Sequence, residues 1–398
     1  MSKCRAHPRL QWADETHSEL LLKDGHYFVF GGDAGDKRDG TIRFVKLMVK
    51  LKKRYRDRVT LLVGNRDANK LRFLSELTQQ DLDSCLPPVP AGVTGAGKDC
   101  RQYIKELAVK QGVAPAADEV PEDKIMELNT MANRLRWILD CTMGSVGDFE
   151  FRRQELAILS GKALGEISDD DVVASFYGSV ADENGFMREY LQLGQLAVVH
   201  DCTLFVHGGV YGVFNKSKGI ESCVGLVPNG SDLDNQLKFS DMNEWVANLN
   251  GWMSSQVESI IRAPAFTSDR SSRSGQALFL YGSYSPTASV IMARMLDDSS
   301  MPLPVPADVA SALKSWGICR VVTGHTPHGN APTVFANHGV EVSSLAVLRF
   351  ILMKVWGIRC YGYVLSCEAS AFPTNCYFSD RYGRHLLLRH VVKGPTHR

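Results

Sequence analysis

The sequence predicts an α/β fold, and two of its features carry that prediction. First, four short apolar runs have the length and composition of buried strands, and each one stops at glycine and polar residues. The four runs span residues 27–30, 60–63, 203–206 and 320–323. Second, the pattern of an amphipathic helix separates the first two runs. A strand, a helix and a strand within about 35 residues form a βαβ unit, which implies parallel strands and a layered α/β core.

The helix between these strands is predicted over residues 41–58. Its apolar residues recur at steps of three and four and so share one face. They are Phe44, Leu47, Met48, Leu51 and Tyr55. The other face is basic and carries Lys46, Lys50, Lys53 and Arg54. Because no aromatic residues for base stacking are interleaved with these charges, we interpret the face as solvated surface rather than as a nucleic-acid site.

A mainly helical insertion is predicted at 71–195, between the second and third strands. Pro121 opens a helix whose apolar stripe continues to Ile138, and Ser168 with Asp171 forms an N-cap pair. Residues 185–199 are a further helix candidate. Beyond the third strand, the serine-rich stretch at 267–275 is predicted to be a polar loop.

The composition predicts a soluble globular protein. The 398 residues include 45 Lys and Arg and 44 Asp and Glu, for a net charge of +1, so no overall field favours nucleic acid or a membrane surface. The longest apolar stretch, 345–365, contains Arg349, Lys354 and Arg359, each of which costs roughly 2.5 to 3.5 kcal/mol at bilayer depth. We therefore expect neither nucleic acid nor a membrane as a partner.

The cysteines indicate the compartment. There are ten, scattered without a C-x-x-C pair, and they are too dilute for a disulfide scaffold in a chain of this length. We therefore expect the protein to reside in a reducing, intracellular compartment, the cytoplasm.

Four potential metal ligands follow the four strand runs. They are Asp33, Asn65, His207 and His325, and each is flanked by glycine. A lone Asp or His after a strand is more often structural, but four in one chain are harder to dismiss. A carboxylate, an amide oxygen and two imidazoles suit Mn, Fe or Zn, whereas an all-oxygen set would favour Mg or Ca.

The residues around these ligands resemble a known family. Residues 32–37, 64–67, 207–209 and 324–327 are similar, in order, to four of the five signature blocks of the calcineurin-like metallophosphoesterases, which include Ser/Thr protein phosphatases and diadenosine-tetraphosphate hydrolases. The resemblance implies a four-layer β-sandwich flanked by helices, with a dinuclear metal centre at the strand ends. It implies a metallophosphoesterase domain at 1–340, with its core at 1–70 and 196–340, and a divergent C-terminal segment at 341–398.

The family's ligand roles transfer residue by residue. Asp33 matches the carboxylate that bridges both metals, while Asn65, His207 and His325 match ligands of the second metal. His7 is the candidate for the surviving histidine of the first block. The resemblance implies hydrolysis of a phosphoester or phosphoanhydride, in a small molecule or a protein, by a hydroxide that two divalent ions activate.

Cationic residues beside the ligands are the candidate phosphate contacts. Arg66, Lys37 and Arg38 would stabilise charge on the phosphoryl oxygens, and Asp36 is the expected partner of one of these cations. For Lys37 and Arg38, a merely solvated position in the loop remains an equal alternative.

Two departures from the family pattern qualify this interpretation. Arg66 stands where the family has a histidine that protonates the leaving group, and arginine cannot act as that acid. Good leaving groups would suffer least, although His328 could substitute as the acid. The first block is also incomplete, because Arg5 precedes His7 where a carboxylate belongs, and the other candidate pair, Asp14 with His17, has the wrong spacing on a helix-like stretch.

The incomplete first block leaves a second hypothesis open. The chain would then be a catalytically weak relative that binds one metal and serves as a binding module. Two equivalents of bound metal would favour the enzyme, and one or none would favour the module.

Overall fold

The structure is a computed structural model of the 398-residue chain. The residues that it describes are 10–36, 38–84, 86–88, 97–215, 219–221, 224–283, 289–297, 301–326, 333–344, 377–379 and 385–387. His7, Lys37, His328 and the stretch 345–365 lie outside these residues. Within the described ranges, no helix combines the length and the apolar character that crossing a bilayer requires.

The chain adopts a mixed α/β fold. Its described strands are β1 (Leu10–Trp12), β2 (Leu20–Leu22), β3 (Phe28–Phe30), β4 (Val59–Leu61), β5 (Ala197–His200), β6 (Thr203–Val206), β7 (Gly212–Asn215), β8 (Gly219–Glu221), β9 (Val227–Asn229), β10 (Asp232–Leu237), β11 (Arg320–Thr323), β12 (Thr333–Asn337), β13 (Val340–Ser344), β14 (Tyr377–Ser379) and β15 (His385–Leu387). Five of them form one sheet in the order β12, β13, β11, β6, β5. In this sheet β11 runs parallel to β6 and β13, while β5 and β12 are antiparallel edges.

The predicted βαβ unit is present. β3 and β4 pair in parallel, with Phe28 opposite Val59, and α1 (Thr41–Arg54) connects them. Both strands are buried along their whole length, which explains why neither shows the alternation of a half-exposed strand. A parallel bridge from Leu62 to Gln195 joins the end of β4 to the segment that enters β5.

The segment between β4 and β5 is helical. Its helices are α2 (Asn65–Asn69), α3 (Phe73–Glu76), α4 (Gln79–Ser84), α5 (Cys100–Lys110), α6 (Glu122–Leu128), α7 (Met131–Trp137), α8 (Asp148–Ser160), α9 (Asp169–Ala181) and α10 (Phe186–Leu193). Three further helices follow in the chain: α11 (Met242–Arg262), α12 (Gln276–Tyr281) and α13 (Ala307–Ser315). Every element that the structure describes between Phe73 and Leu193 is a helix or a helical turn.

The predicted N-cap pair is confirmed. The Ser168 hydroxyl accepts a hydrogen bond from the Asp171 amide (3.1 Å), and the Asp171 carboxylate accepts one from the Ser168 amide (2.8 Å). These reciprocal bonds satisfy two of the amides that every helix leaves unpaired at its start.

Two helix predictions need correction. The stripe from Pro121 to Ile138 is divided between α6 and α7, because the Thr130 hydroxyl caps a new helix by accepting from the Asn133 amide (3.2 Å). The candidate at 185–199 is helical only as far as Leu193. Its second half forms β5, which pairs with β6.

A side chain of helix α8 caps the N-terminus of α1. The residue before α1, Gly40, has no side chain to cap it, but the fully buried Glu155 of α8 accepts hydrogen bonds from the amides of Ile42 (2.9 Å) and Arg43 (3.1 Å) and from the Thr41 hydroxyl (3.3 Å). A carboxylate at this position also interacts favourably with the positive end of the helix dipole. The helical segment is therefore bonded directly to the βαβ unit.

One disulfide joins two neighbouring strands of the sheet. Cys202, just before β6, and Cys319, just before β11, have sulfur atoms 2.07 Å apart. The sequence predicts that the cysteines form no disulfide scaffold, and this bridge by itself is not one. The pairing of Cys202 with Cys319, 117 residues apart, could not be inferred from the sequence.

Buried ion pairs attach the polar loop at 267–275 to the helical segment. Arg72 donates from Nε and Nη2 to the Glu76 carboxylate at 2.8 Å each, and Arg273 Nη1 lies 2.8 Å from Glu76 Oε1. Burial alone would raise the pKa of Glu76, but the charges of Arg72 and Arg273 outweigh burial and lower this pKa to about 2. The carboxylate is therefore ionised in the folded protein above about pH 2.

This cluster predicts a loss of stability in acid. Because the pKa of Glu76 is lower in the folded protein than in the unfolded chain, its contribution is present above about pH 4.5 and disappears as the pH falls towards 2. The contribution corresponds to about 3 kcal/mol in the free energy of unfolding. Urea unfolding at pH 6 and pH 3 should show a smaller acid-dependent loss in Glu76→Gln than in the native chain.

The control for this experiment is Glu122→Gln, which removes an exposed partner of Arg101. Because this pair is exposed to solvent, Glu122→Gln should change the acid dependence much less than Glu76→Gln does. Equal acid sensitivity of the native chain and the Glu76 variant would contradict the assignment.

Candidate metal centre

The strand ends bring together ligands predicted from the sequence. Asp33 follows β3, His207 follows β6 and His325 follows β11, and because β6 and β11 are parallel their carboxyl ends lie at the same edge of the sheet. One ligand atom from each of these three residues lies within 4.8 Å of the others. Among the residues that the structure describes, this is the single group of three or more His, Cys, Asp or Glu side chains with such spacing.

His207 is held in the tautomer of a ligand. Its Nδ1 lies 2.6 Å from the Gly31 carbonyl oxygen, and since a carbonyl can only accept, Nδ1 carries the proton. The other ring nitrogen, Nε2, lies 3.5 Å from Oδ1 of Asp33, and it is the nitrogen through which the neutral imidazole would bind a metal. A backbone hydrogen bond of this kind is the usual way in which proteins orient a metal-binding imidazole.

Within the part of the chain that the structure describes, several buried polar atoms of the predicted ligands lack a hydrogen-bond partner. They are Asn65 Oδ1, His207 Nε2 and both ring nitrogens of His325. Unpaired polar atoms in an interior are costly and rare, so their concentration beside a carboxylate needs an explanation. A divalent cation would satisfy lone pairs on all of these residues, and the mixture of donors fits Mn, Fe or Zn.

The backbone is strained at two of the ligands. Asp33 has φ 56° and His325 has φ 59°, both in the left-handed region that side chains other than glycine rarely occupy. Such conformations persist only where the surrounding structure enforces them, and they concentrate at functional sites.

Close packing explains the flanking glycines. A β-carbon on Gly64 would lie 2.2 Å from Oδ1 of Asp33, and one on Gly32, where φ is 91°, would lie 2.6 Å from Nδ1 of His207. Any larger residue at either position would displace a ligand.

Asp67 supports the candidate site, although the sequence pattern did not identify it. It is completely buried and accepts backbone hydrogen bonds from the amides of Asp33 (2.6 Å), Gly64 (2.9 Å) and Gly35 (3.3 Å). Burial, and then the charge of Asp33, raise the pKa of Asp67. Asp67 thus joins the loop after β3 to the loop after β4 and fixes the position of Asp33.

Arg66 lies against two carboxylates. Its Nη1 is 2.5 Å from Oδ2 of Asp36 and 3.6 Å from Oδ2 of Asp33, and a quarter of its side chain is exposed. Its backbone amide also donates to Oδ1 of Asp33 (3.1 Å). Asp36 therefore pairs with a cation, as the sequence predicts, and that cation is Arg66.

A second arginine acts on the cluster electrostatically. Burial lowers the pKa of His325 well below its usual range, and the charges of His207, Arg294 and Arg66 lower it further against the opposing effect of Asp33. Arg294 belongs to an apolar run at 290–295, where an isolated arginine was the sequence signal that could have identified it. Arg66 and Arg294 are therefore the two guanidinium groups whose charges act on this cluster of ligands.

The remaining predicted residues are placed elsewhere or lie outside the described residues. The Arg38 guanidinium carbon is 6.0 Å from the ring centroid of Phe151, so its role as a phosphate contact remains a prediction. His7 and Lys37 are outside the described ranges. The alternative first block does not lie on the helix-like stretch that the sequence predicts, because β1 and β2 form a hairpin around it and the Asp14 carboxylate accepts hydrogen bonds from the Thr16 and Ser18 hydroxyls within that turn.

Comparisons with known proteins identify no family for this chain. No family model matches the chain, and no curated protein matches it. Among solved structures, the chain is similar to the crystal structure of a cold-active protein-tyrosine phosphatase of a psychrophile, Shewanella sp.. That similarity has a TM-score of 0.39 at 12% sequence identity and covers 91% of this chain and 69% of that chain. A likeness at this level carries no argument about function.

Proposed function

We propose that this chain is a metal-dependent phosphoesterase of the calcineurin-like type. Its core would be the four-layer β-sandwich of that family, and its substrate would be a phosphoester or a phosphoanhydride. The observation that supports the proposal is the group of Asp33, His207 and His325, whose ligand atoms lie within 4.8 Å of one another, with Arg66 beside Asp33.

The chain's own residues provide a place for the cation and a place for the phosphate. Asp33, Asn65, His207 and His325 would hold a divalent ion, and such an ion supplies Lewis acidity that polarises a phosphoryl group and acidifies water. Asp67 fixes Asp33 through the backbone, and Gly31 fixes the tautomer of His207.

Arg66 is the candidate contact for the phosphoryl oxygens. Asp36 holds one end of its guanidinium, which leaves other N–H groups at the partly exposed side for an anion. Because arginine stays protonated, it stabilises charge but delivers no proton to a leaving group. We therefore propose aryl phosphates and phosphoanhydrides as the better substrates and alkyl phosphate esters as the poorer ones.

The binding module remains the second candidate. The observation that favours it is that the described residues supply one group of three potential His, Cys, Asp or Glu ligands, which suits one ion. Metal content and hydrolysis, measured on the same preparation, separate the two candidates.

The experiment uses the full chain loaded in turn with Mn, Zn, Fe and Mg. Bound metal is measured by mass spectrometry after removal of free ions, and hydrolysis is measured on an aryl phosphate, a dinucleoside polyphosphate and a phosphopeptide. We expect bound metal and hydrolysis of the first two substrates, with about one equivalent of metal lost in His325→Ala. Bound metal without hydrolysis of any substrate would favour the module, and unchanged metal content in the variant would remove His325 from the ligand set.

The matched control is His338→Ala. His338 has φ 51°, close to the 59° of His325, so both substitutions place alanine in the same strained backbone region. His338→Ala should retain the metal. A loss of metal in His325→Ala alone would then be due to the missing imidazole and not to an alanine in the left-handed backbone region.

A further inference from the structure

A turn of the helical segment reaches the candidate site. Residues 143–148 connect a helical turn after α7 to α8, and Ser145 in this turn is completely buried. The Ser145 hydroxyl donates a hydrogen bond to Oδ1 of Asp36. The neighbouring Gly144 faces Arg66, since a β-carbon built on it would lie 3.9 Å from Nη2 of the arginine.

The two oxygens of Asp36 have different partners. Oδ1 accepts from Ser145, and Oδ2 accepts from Nη1 of Arg66 at 2.5 Å. The hydrogen bond from Ser145 to Oδ1 therefore orients the Asp36 carboxylate, and this orientation sets the direction in which Oδ2 holds the Arg66 guanidinium. Arginine has a long side chain with many rotamers, so its position depends strongly on such partners.

The turn itself is fixed by backbone hydrogen bonds. The Ser145 amide donates to the Leu139 carbonyl (2.9 Å), and the Ser145 carbonyl accepts from the Asp148 amide (3.1 Å). The Gly147 amide donates to the Asp140 carboxylate (3.1 Å). Ser145 is therefore presented to Asp36 from a rigid position rather than from a loop that adapts to it.

We propose that Ser145 is a positioning residue for Arg66. Acting through Asp36, it would hold the guanidinium beside Asp33 in the orientation that accepts a phosphoryl group. This inference rests on the proposed function for its consequence in catalysis, but the effect of Ser145 on the arginine is a property of the chain alone. A residue of the helical segment would then set the phosphate affinity of a site built at the strand ends.

The first test measures binding of inorganic phosphate to the metal-loaded full chain by calorimetry. Removing a hydrogen bond to a charged group typically costs 10- to 100-fold in an equilibrium constant, so the Kd should rise by about that factor in Ser145→Ala. In the Arg66→Ala background, the same substitution should add nothing, because the effect passes through the arginine.

The matched control is Ser179→Ala. Ser179 is another buried serine of the helical segment, and its hydroxyl donates to the Phe176 carbonyl (2.7 Å) rather than to Asp36. Both alanine variants remove a hydrogen-bonded serine hydroxyl from the interior of the helical segment, so a general effect of such a loss on the fold would appear in both. Equal Kd values for the two variants, or an effect of Ser145→Ala that persists without Arg66, would overturn the proposal.

A second test needs no phosphate. Phenylglyoxal modifies exposed arginine side chains, and peptide mass spectrometry gives the rate at Arg66. We expect this rate to rise several-fold in Ser145→Ala and to stay constant in Ser179→Ala. If the native chain bound no phosphate, the proposed function would fail, and the modification rates would still decide whether Ser145 positions Arg66; an unchanged rate would overturn that inference.

Discussion

The Asp33→Asn variant is expected to lose phosphoesterase activity by at least about 100-fold while keeping its fold. Electrostatic interactions with His207, Arg66 and His325, together with the hydrogen bond from the Arg66 amide, outweigh the effect of burial and lower the pKa of Asp33, so the native side chain is a carboxylate. Asparagine can still accept from the Arg66 amide, as Oδ1 of Asp33 does at 3.1 Å, which preserves the local backbone. It cannot supply negative charge, and Asp33 is the one carboxylate among the four proposed ligands.

Activity and bound metal should be measured together for this variant, with circular dichroism to verify the fold. Asp24→Asn is the control, because it makes the same chemical change at an exposed carboxylate that pairs with Arg58 at 3.3 Å. Full activity in Asp33→Asn would exclude Asp33 as a metal ligand.

The second large effect is expected at Arg66. If its guanidinium stabilises charge on the phosphoryl oxygens, Arg66→Ala should raise the barrier by roughly 2.7 to 4 kcal/mol, which is about 100- to 1000-fold in kcat. The loss should be seen with aryl phosphates, where the chemical step needs no acid. Arg101→Ala is the control, since Arg101 is an exposed arginine paired with Glu122.

Arg66→His separates the two roles that this position could have. A series of aryl and alkyl phosphates gives the dependence of the rate on the basicity of the leaving group. A steep dependence in the native chain that becomes shallower in Arg66→His would show that a missing acid limits the alkyl esters. A uniform fall across the series would instead identify Arg66 as a dedicated phosphate contact, and an indifferent variant would make the residue structural.

The ligands could be predicted from the sequence because their signal is local. Asp33, His207 and His325 each follow a short buried strand within a few residues, and because β6 and β11 are parallel, the two histidines lie at one edge of the sheet. The βαβ unit was predictable for the same reason. Its strands and helix have patterns that are visible without knowledge of distant contacts.

The supporting residues could not be predicted, because their roles depend on contacts between remote parts of the chain. Asp67 reaches the amide of Asp33 across 34 residues, and Ser145 reaches Asp36 across 109. The break between α6 and α7 has a similar origin. Asn129 at that break donates to the Leu82 carbonyl (3.0 Å), a tertiary contact that an apolar stripe does not reveal.

The cap that Glu155 provides for α1 has a consequence for synthesis of the protein. The carboxylate follows the Ile42 amide that it satisfies by 113 residues. At ribosomal rates of about 5 to 20 residues per second, the start of α1 would wait on the order of ten seconds for its partner. During that interval the nascent βαβ unit has an exposed helix start and uncovered strands, so we expect it to depend on chaperones until α8 has emerged.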